Sequence, residues 1–207
     1  MKGNTSMTDT GAGSVGADGF EFELEPLDPR QAFGFRGVVG PYGSVEASTP
    51  APGRRERPSQ EVHLKGEGFP ETVFSGGAHD RPSLDGGRLK VDGTVVDLDL
   101  VVKGVRKGRR WLEIGFRDRS YKYTGDLGSV ARLTREGATV SFTQGRFVRG
   151  IGLARVGKTE GAVDAVDLAI AIVLETVDRS CMSTTGALFA IPFNFLFGRS
   201  ASEGTFE

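Results

Sequence analysis

Residues 161–180, GAVDAVDLAIAIVLETVDRS, decide how this chain is read. From Val166 to Leu174 only Asp167 is polar, and a helix that is apolar nearly all round is wrapped by protein on most sides. Its acids are ordered too. Asp164, Asp167, Glu175 and Asp178, with Ala171 between them, recur at helical offsets and line one narrow stripe. A single helix late in a chain otherwise rich in strand signals predicts a sheet curled around or against it.

Upstream the period changes to two. Phe20, Phe22 and Leu24 alternate with Glu21, Glu23 and Glu25, the signature of a half-buried strand. Residues 32–39, with interleaved glycines, read as a weaker second strand. Short strands are expected at 62–64 and 72–74, and a turn-rich passage at 76–87. Stronger strands follow at 94–102, 111–116, 120–124, 129–134 and 138–143, with one or two more between 147 and 156. Turn residues separate them at roughly ten-residue spacing, which predicts an antiparallel meander. The fold class is therefore mainly β: an antiparallel barrel around or against one apolar helix, or alternatively a β-sandwich with a packed helix.

The segments outside these elements divide the chain. Residues 1–19 lack the apolar surface to offset ordering entropy and are expected to be a disordered leader, as is the tail at 199–207. Residues 20–198 form one domain, within which 48–60, STPAPGRRERPSQ, reads as an exposed mobile loop. Residues 186–197, GALFAIPFNFLF, are either a terminal strand or a docking segment, with Phe189, Phe193, Phe195 and Phe197 as the docking candidates.

Composition removes several function classes. Lys and Arg number 26 against 27 Asp and Glu, so no global field advertises nucleic acid, and any anion site is local. One cysteine, Cys181, and two histidines, His63 and His79, exclude a disulfide framework and disfavour a metal centre of the Cys/His kind. No cofactor is expected, and the compartment is expected to be the cytoplasm. The longest apolar runs fall short of the roughly 20 residues that span a bilayer.

The densest basic region is Lys103, Arg106, Lys107, Arg109 and Arg110, followed by Arg117, Arg119 and Lys122, and it includes Trp111, Tyr121 and Tyr123. Cations interleaved with aromatics suit phosphate groups, of a lipid headgroup or another anionic ligand. The plainer reading is the solvated face of a hairpin, diluted by Glu113 and Asp118. The acid stripe on the helix has two readings as well: carboxylates for acid and base work, or structural acids. Asp164 and Asp167 favour the helix macrodipole, and Glu175 and Asp178 are expected to pair with Arg179 or with barrel arginines such as Arg146, Arg149 or Arg155. Nucleophilic catalysis has no support, because no G-x-S-x-G elbow is present and the histidines lie far from Ser180 and Cys181.

Two passages carry a family resemblance. RSYKYTGDLGSVARLTREGATVSF, residues 119–142, looks like a run of short antiparallel strands, and VDAVDLAIAIVLETVDRS, residues 163–180, is similar to a core helix preceded by a small residue and an acid. Together they resemble the tubby-like fold shared by tubby C-terminal domains, phospholipid scramblases and LURP-one-related proteins. The resemblance implies a closed, twelve-strand-like barrel around one apolar helix, and a non-catalytic domain able to bind an anionic lipid. The function expected is non-enzymatic binding of an anionic ligand or membrane surface through the basic hairpin; the alternatives are assembly through the apolar segment at 186–197 and, last, an enzyme using the helix carboxylates.

Overall fold

Outward glutamates and the inward Phe22 and Leu24 on the first strand set a pattern that the sheet repeats until it meets itself. The computed structural model describes residues 19–51, 60–78, 81–103, 110–125 and 130–182. In chain order the elements are β1 (Glu21–Pro26), β2 (Ala32–Val38), β3 (Ser44–Pro50), β4 (Glu61–Lys65), β5 (Thr72–Ser75), β6 (Gly77–Ala78), β7 (Arg81–Pro82), β8 (Arg88–Val91), β9 (Thr94–Val102), β10 (Arg110–Phe116), β11 (Arg119–Thr124), β12 (Ala131–Arg135), β13 (Ala138–Val148), β14 (Gly152–Gly161) and α1 (Ala165–Thr176). Among the described residues, twelve of these strands form a closed antiparallel barrel in the order β1-β14-β13-β12-β11-β10-β9-β8-β5-β4-β3-β2. The two-residue strands β6 and β7 pair only with each other. Each barrel strand thus lies beside its neighbours in sequence, with β1 against β14 as the seam.

The seam has its own packing. Phe22 of β1 stands opposite Gly157 of β14, and a Cβ at Gly157 would fall 2.2 Å from the Phe22 ring. Glycine there lets the ring lie flat over the neighbouring backbone, and Phe142 meets it edge-on with centroids 5.7 Å apart. Outside, Arg146 of β13 reaches across to pair with both Glu23 and Glu25.

The helix α1 fills the barrel. Leu168 through Leu174 are each 0 % exposed, and α1 packs against β2 to β5 on one side of the ring and β12 and β13 on the other. Each fully buried Leu, Ile or Val contributes roughly 1.5–3 kcal/mol of transfer free energy, which is the reason for the unbroken apolar run. Asp164 caps the helix: its Oδ1 accepts from the backbone N–H groups of Val166 and Asp167, both at 3.0 Å. Asp167 Oδ2 accepts in return from Asp164 N at 3.0 Å, completing a capping box. After the helix, Asp178 is clamped to the loop before β8, with Leu84 N donating to its carbonyl at 3.0 Å and its own N–H donating to Pro82 O at 2.8 Å.

The helix is shorter than the 161–180 expected. Gly161 ends β14 at φ 78°, and a side chain there would collide with Gly137 O at 2.2 Å, so the chain turns before Asp164 can cap. The loop expected to begin at residue 48 begins later, because Ser48, Thr49 and Pro50 complete β3. Its inward positions are Val45, Ala47 and Thr49, all buried, and two of those are too small or too polar to raise a hydrophobic signal. Strand β13 runs on to Val148, past the expected 143, with a register shift between Gln144 and Phe147. The expected leader, the tail, most of the loop and the segment at 186–197 lie outside the described residues.

Candidate functional site

Alternate connections of an antiparallel barrel fall at opposite ends, so two mouths can be compared, one at each end of α1. At the N-terminal mouth β11 and β12 supply the partners of the helix acids. Arg135 grips Asp167 bidentately, Nε to Oδ1 and Nη2 to Oδ2, both at 2.8 Å. Tyr121 donates its hydroxyl to the same Oδ1 at 3.1 Å, and Arg119 pairs with Asp164. With the Asp164 N–H on Oδ2, both oxygens of Asp167 are saturated. Nearby, Tyr42 OH donates to Val163 O at 2.9 Å and stands between Phe20 and Phe69, with centroids at 6.4 and 6.0 Å. This end is sealed by aromatics.

The C-terminal mouth repeats the device with Glu175. Tyr123 OH donates to Glu175 Oε1 at 3.0 Å, and Arg179, 4 % exposed, donates to both the carboxylate and the tyrosine oxygen. Arg155 brings Nε to 3.2 Å from Glu175 Oε2, yet off the line a hydrogen bond needs, so the attraction is Coulombic and this buried N–H lacks a hydrogen-bond partner among the described residues. The Arg155 guanidinium lies over the Phe35 ring, 5.7 Å from its centroid. Burial pushes the Tyr121 phenol up to about 12, and it raises that of Tyr123 further, helped by Glu175.

Above this cluster the barrel is open. A crevice of about 300 Å³ is walled by Leu27, Pro29, Phe33, Phe35, Ile151 and Leu153, and floored by Arg155, Glu175, Asp178 and Arg179. Asp178 is occupied, its carboxylate accepting from Ser180 N at 2.9 Å and Ser180 Oγ at 3.1 Å. A larger groove of about 1160 Å³ crosses the outer face of β1 to β4, lined by Glu23, Arg36, Glu46, Lys65 and Glu67 among others. Its charges alternate in sign and converge on nothing, so the smaller crevice is the better-built site.

The basic residues singled out in the sequence are dispersed. Arg119 is part of the helix clasp, and Arg117 sits in the β10–β11 turn at the N-terminal mouth with φ 55°, over the Phe116 ring. Arg110 donates to Cys181 O at 3.1 Å. Lys103 and Lys122 stay together on the outside, their ammonium groups 5.0 and 4.6 Å from the Trp111 ring centroid, while Trp111 Nε1 donates to Glu113 Oε1 at 3.0 Å. Arg106, Lys107 and Arg109 lie outside the described residues, as do Phe189, Phe193, Phe195 and Phe197. Burial raises the Cys181 thiol to about 11, which leaves it protonated and a poor nucleophile at neutral pH.

Sequence reasoning missed Arg135 and the way Tyr121 and Tyr123 divide their hydroxyls between the two helix acids. The available signal was the same-face spacing of the tyrosines two residues apart on one strand, set against buried acids eight residues apart on the helix. Among the described residues no cluster of three or more His, Cys, Asp or Glu is placed to hold a metal, and no helix is long and apolar enough to cross a membrane. Compared with known proteins, the chain matches no family model, no curated protein and no solved structure.

Proposed function

We propose that this protein is a cytoplasmic, non-enzymatic barrel that binds an anionic ligand or membrane surface through the basic rim of its C-terminal mouth. The observation that carries this reading is the Trp111 indole flanked by the ammonium groups of Lys103 and Lys122. An aromatic ring fixed beside two cations suits the interface of a bilayer, where the ring sits at headgroup depth and the cations meet anionic lipid. Among the described residues of the turns at this mouth, Arg30 and Arg149 stand against Asp28 and Asp85. At the other mouth Glu67, Glu71, Asp92, Asp118, Glu136, Asp164 and Asp167 stand against Arg117, Arg119 and Arg135.

The saturated state of Asp167 supports a non-catalytic role, since neither of its oxygens is left to accept a substrate proton without breaking the clasp, and Glu175 is held by Tyr123 and Arg179. The test uses the protein's single tryptophan, which lies within the proposed surface. Vesicles containing phosphatidylserine should shift its emission to the blue and float the protein, vesicles of phosphatidylcholine alone should do neither, and salt should weaken the effect. Combined Lys103→Glu and Lys122→Glu substitutions should abolish it. Unchanged emission with no flotation at low salt would refute the reading.

A further inference from the structure

The crevice above the helix C-terminus is a second, independent feature, and we infer that it binds a small amphipathic carboxylate, with the acid on Arg155 and the chain against the apolar wall. The argument begins with hydrogen-bond demand. Counted as charges, Arg155 and Arg179 balance Glu175 and Asp178, so net charge does not select the ligand. Counted as donors and acceptors, the site is uneven. Glu175 is served by Tyr123 and Arg179, and Asp178 is served by Ser180. The Arg155 side chain is left over: among the described residues it takes part in the off-line approach to Glu175 and the stacking on Phe35 and in no hydrogen bond. A guanidinium carries five N–H donors in a fork matched to a carboxylate.

Its surroundings specify the rest of the ligand. Arg155 and Leu153 alternate on the inward face of β14, so the chain of a molecule held by the guanidinium would run outward along Leu153, 40 % exposed, and Ile151, 38 % exposed. Phe35 faces them from β2, and Leu27 and Pro29 close the wall from the β1–β2 turn. Those exposed side chains lose water contact when an alkyl chain covers them. A volume of about 300 Å³ lies at the small end of ligand pockets, and the mouth of a barrel is a common place for one. A short fatty acid of the size of octanoate fits this description; a phosphorylated sugar, with no apolar part, does not.

The test is calorimetric titration of octanoate into the full chain and into a chain ending at Ser183. The expected result is saturable binding of one octanoate in both, none of octylamine, and little of octanol. Arg155→Met should weaken binding about tenfold or more, the scale of a lost charge-assisted pair, while Arg155→Lys retains part of it. Leu153→Glu, at an exposed position that leaves the fold intact, should abolish binding through the wall instead of the floor. Octanoate binding that survives both Arg155→Met and Leu153→Glu would overturn the assignment, as would failure to bind either chain. Binding only to the chain ending at Ser183 would overturn it too, by identifying the apolar segment at 186–197 as the crevice's occupant. Lys103→Glu with Lys122→Glu should leave the titration unchanged, which separates this site from the rim.

Discussion

The two ends of α1 use the same parts to different effect. At each end a helix carboxylate accepts from a tyrosine of β11 and from arginine. At the N-terminal end the hydrogen-bonded arginines are partly wet, Arg119 with 35 % and Arg135 with 17 % of the side chain exposed, while at the C-terminal end the hydrogen-bonded Arg179 is 4 % exposed and Tyr123 0 %, and Arg155, 19 % exposed, adds only a Coulombic approach. A charge that can reach water can lose its partner and be resolvated; a charge that cannot reach water is stranded. The helix is therefore pinned gently where its cap already holds it and rigidly where the barrel is open. A rigid floor beneath an open crevice is what a binding site requires.

The largest expected effect tests that asymmetry directly. Glu175→Ala strands Arg179 and should cost about 3–5 kcal/mol of stability in chemical denaturation. Asp167→Ala, with wetter arginines, should cost about 1–3 kcal/mol. Equal losses, or a larger one at Asp167, would break the comparison. Tyr123→Phe against Tyr121→Phe should repeat the order on a smaller scale, about 1–3 against about 0.5–1.5 kcal/mol, because only Tyr123 bridges a fully buried pair.

Alkaline titration follows. Tyr121 is pushed up to about 12 by burial, so its folded pKa lies above the unfolded value near ~10. Such a group contributes stability that is full below about pH 10 and is lost as pH rises toward about 12. Phenolate absorbance should lag behind that of free tyrosine until unfolding releases it, and Tyr121→Phe should flatten the loss. Asp164 gives the opposite sign. Burial pushes its carboxyl up, but the Asp167 backbone N–H and the Arg119 guanidinium outweigh that and leave it net lowered. Its contribution is present above about pH 4 and is lost on acidification. Asp164→Ala should remove a cap worth about 0.5–2 kcal/mol and reduce the acid sensitivity of the fold.

What could be read from the sequence follows the same division. Strands with large inward residues, such as Tyr121 and Tyr123 or Val140 and Phe142, were legible from period two, and the helix was legible because nothing in its centre is polar. Strand β3 was not, since Ala47 and Thr49 occupy inward positions without a hydrophobic signal. The acid stripe was visible, and so was the expectation that Glu175 would find Arg155 or Arg179. Arg146 was also offered as a partner and instead clasps Glu23 and Glu25. Arg119, read as part of a ligand-binding hairpin, binds the helix cap, because a residue's neighbours along a strand do not reveal which mouth its side chain faces. The crevice was illegible for a related reason: its wall comes from the β1–β2 turn, β14 and the helix end, which meet only when the barrel closes.

That closure has a cost in time. Phe20 N donates to Thr159 Oγ1 across a sequence separation of 139 residues, so β1 emerges from the ribosome long before its partner exists. At roughly 5–20 residues per second the wait is about 7 to 28 seconds, during which β1 presents an unpaired edge to every other nascent chain. Glu21, Glu23 and Glu25 on its outward face, with Pro26 at its end, make that edge repel its own kind. When β13 and β14 arrive, Arg146 neutralises two of those glutamates. The same carboxylates thus serve as guards against aggregation in the unfinished chain and as part of the latch in the finished one.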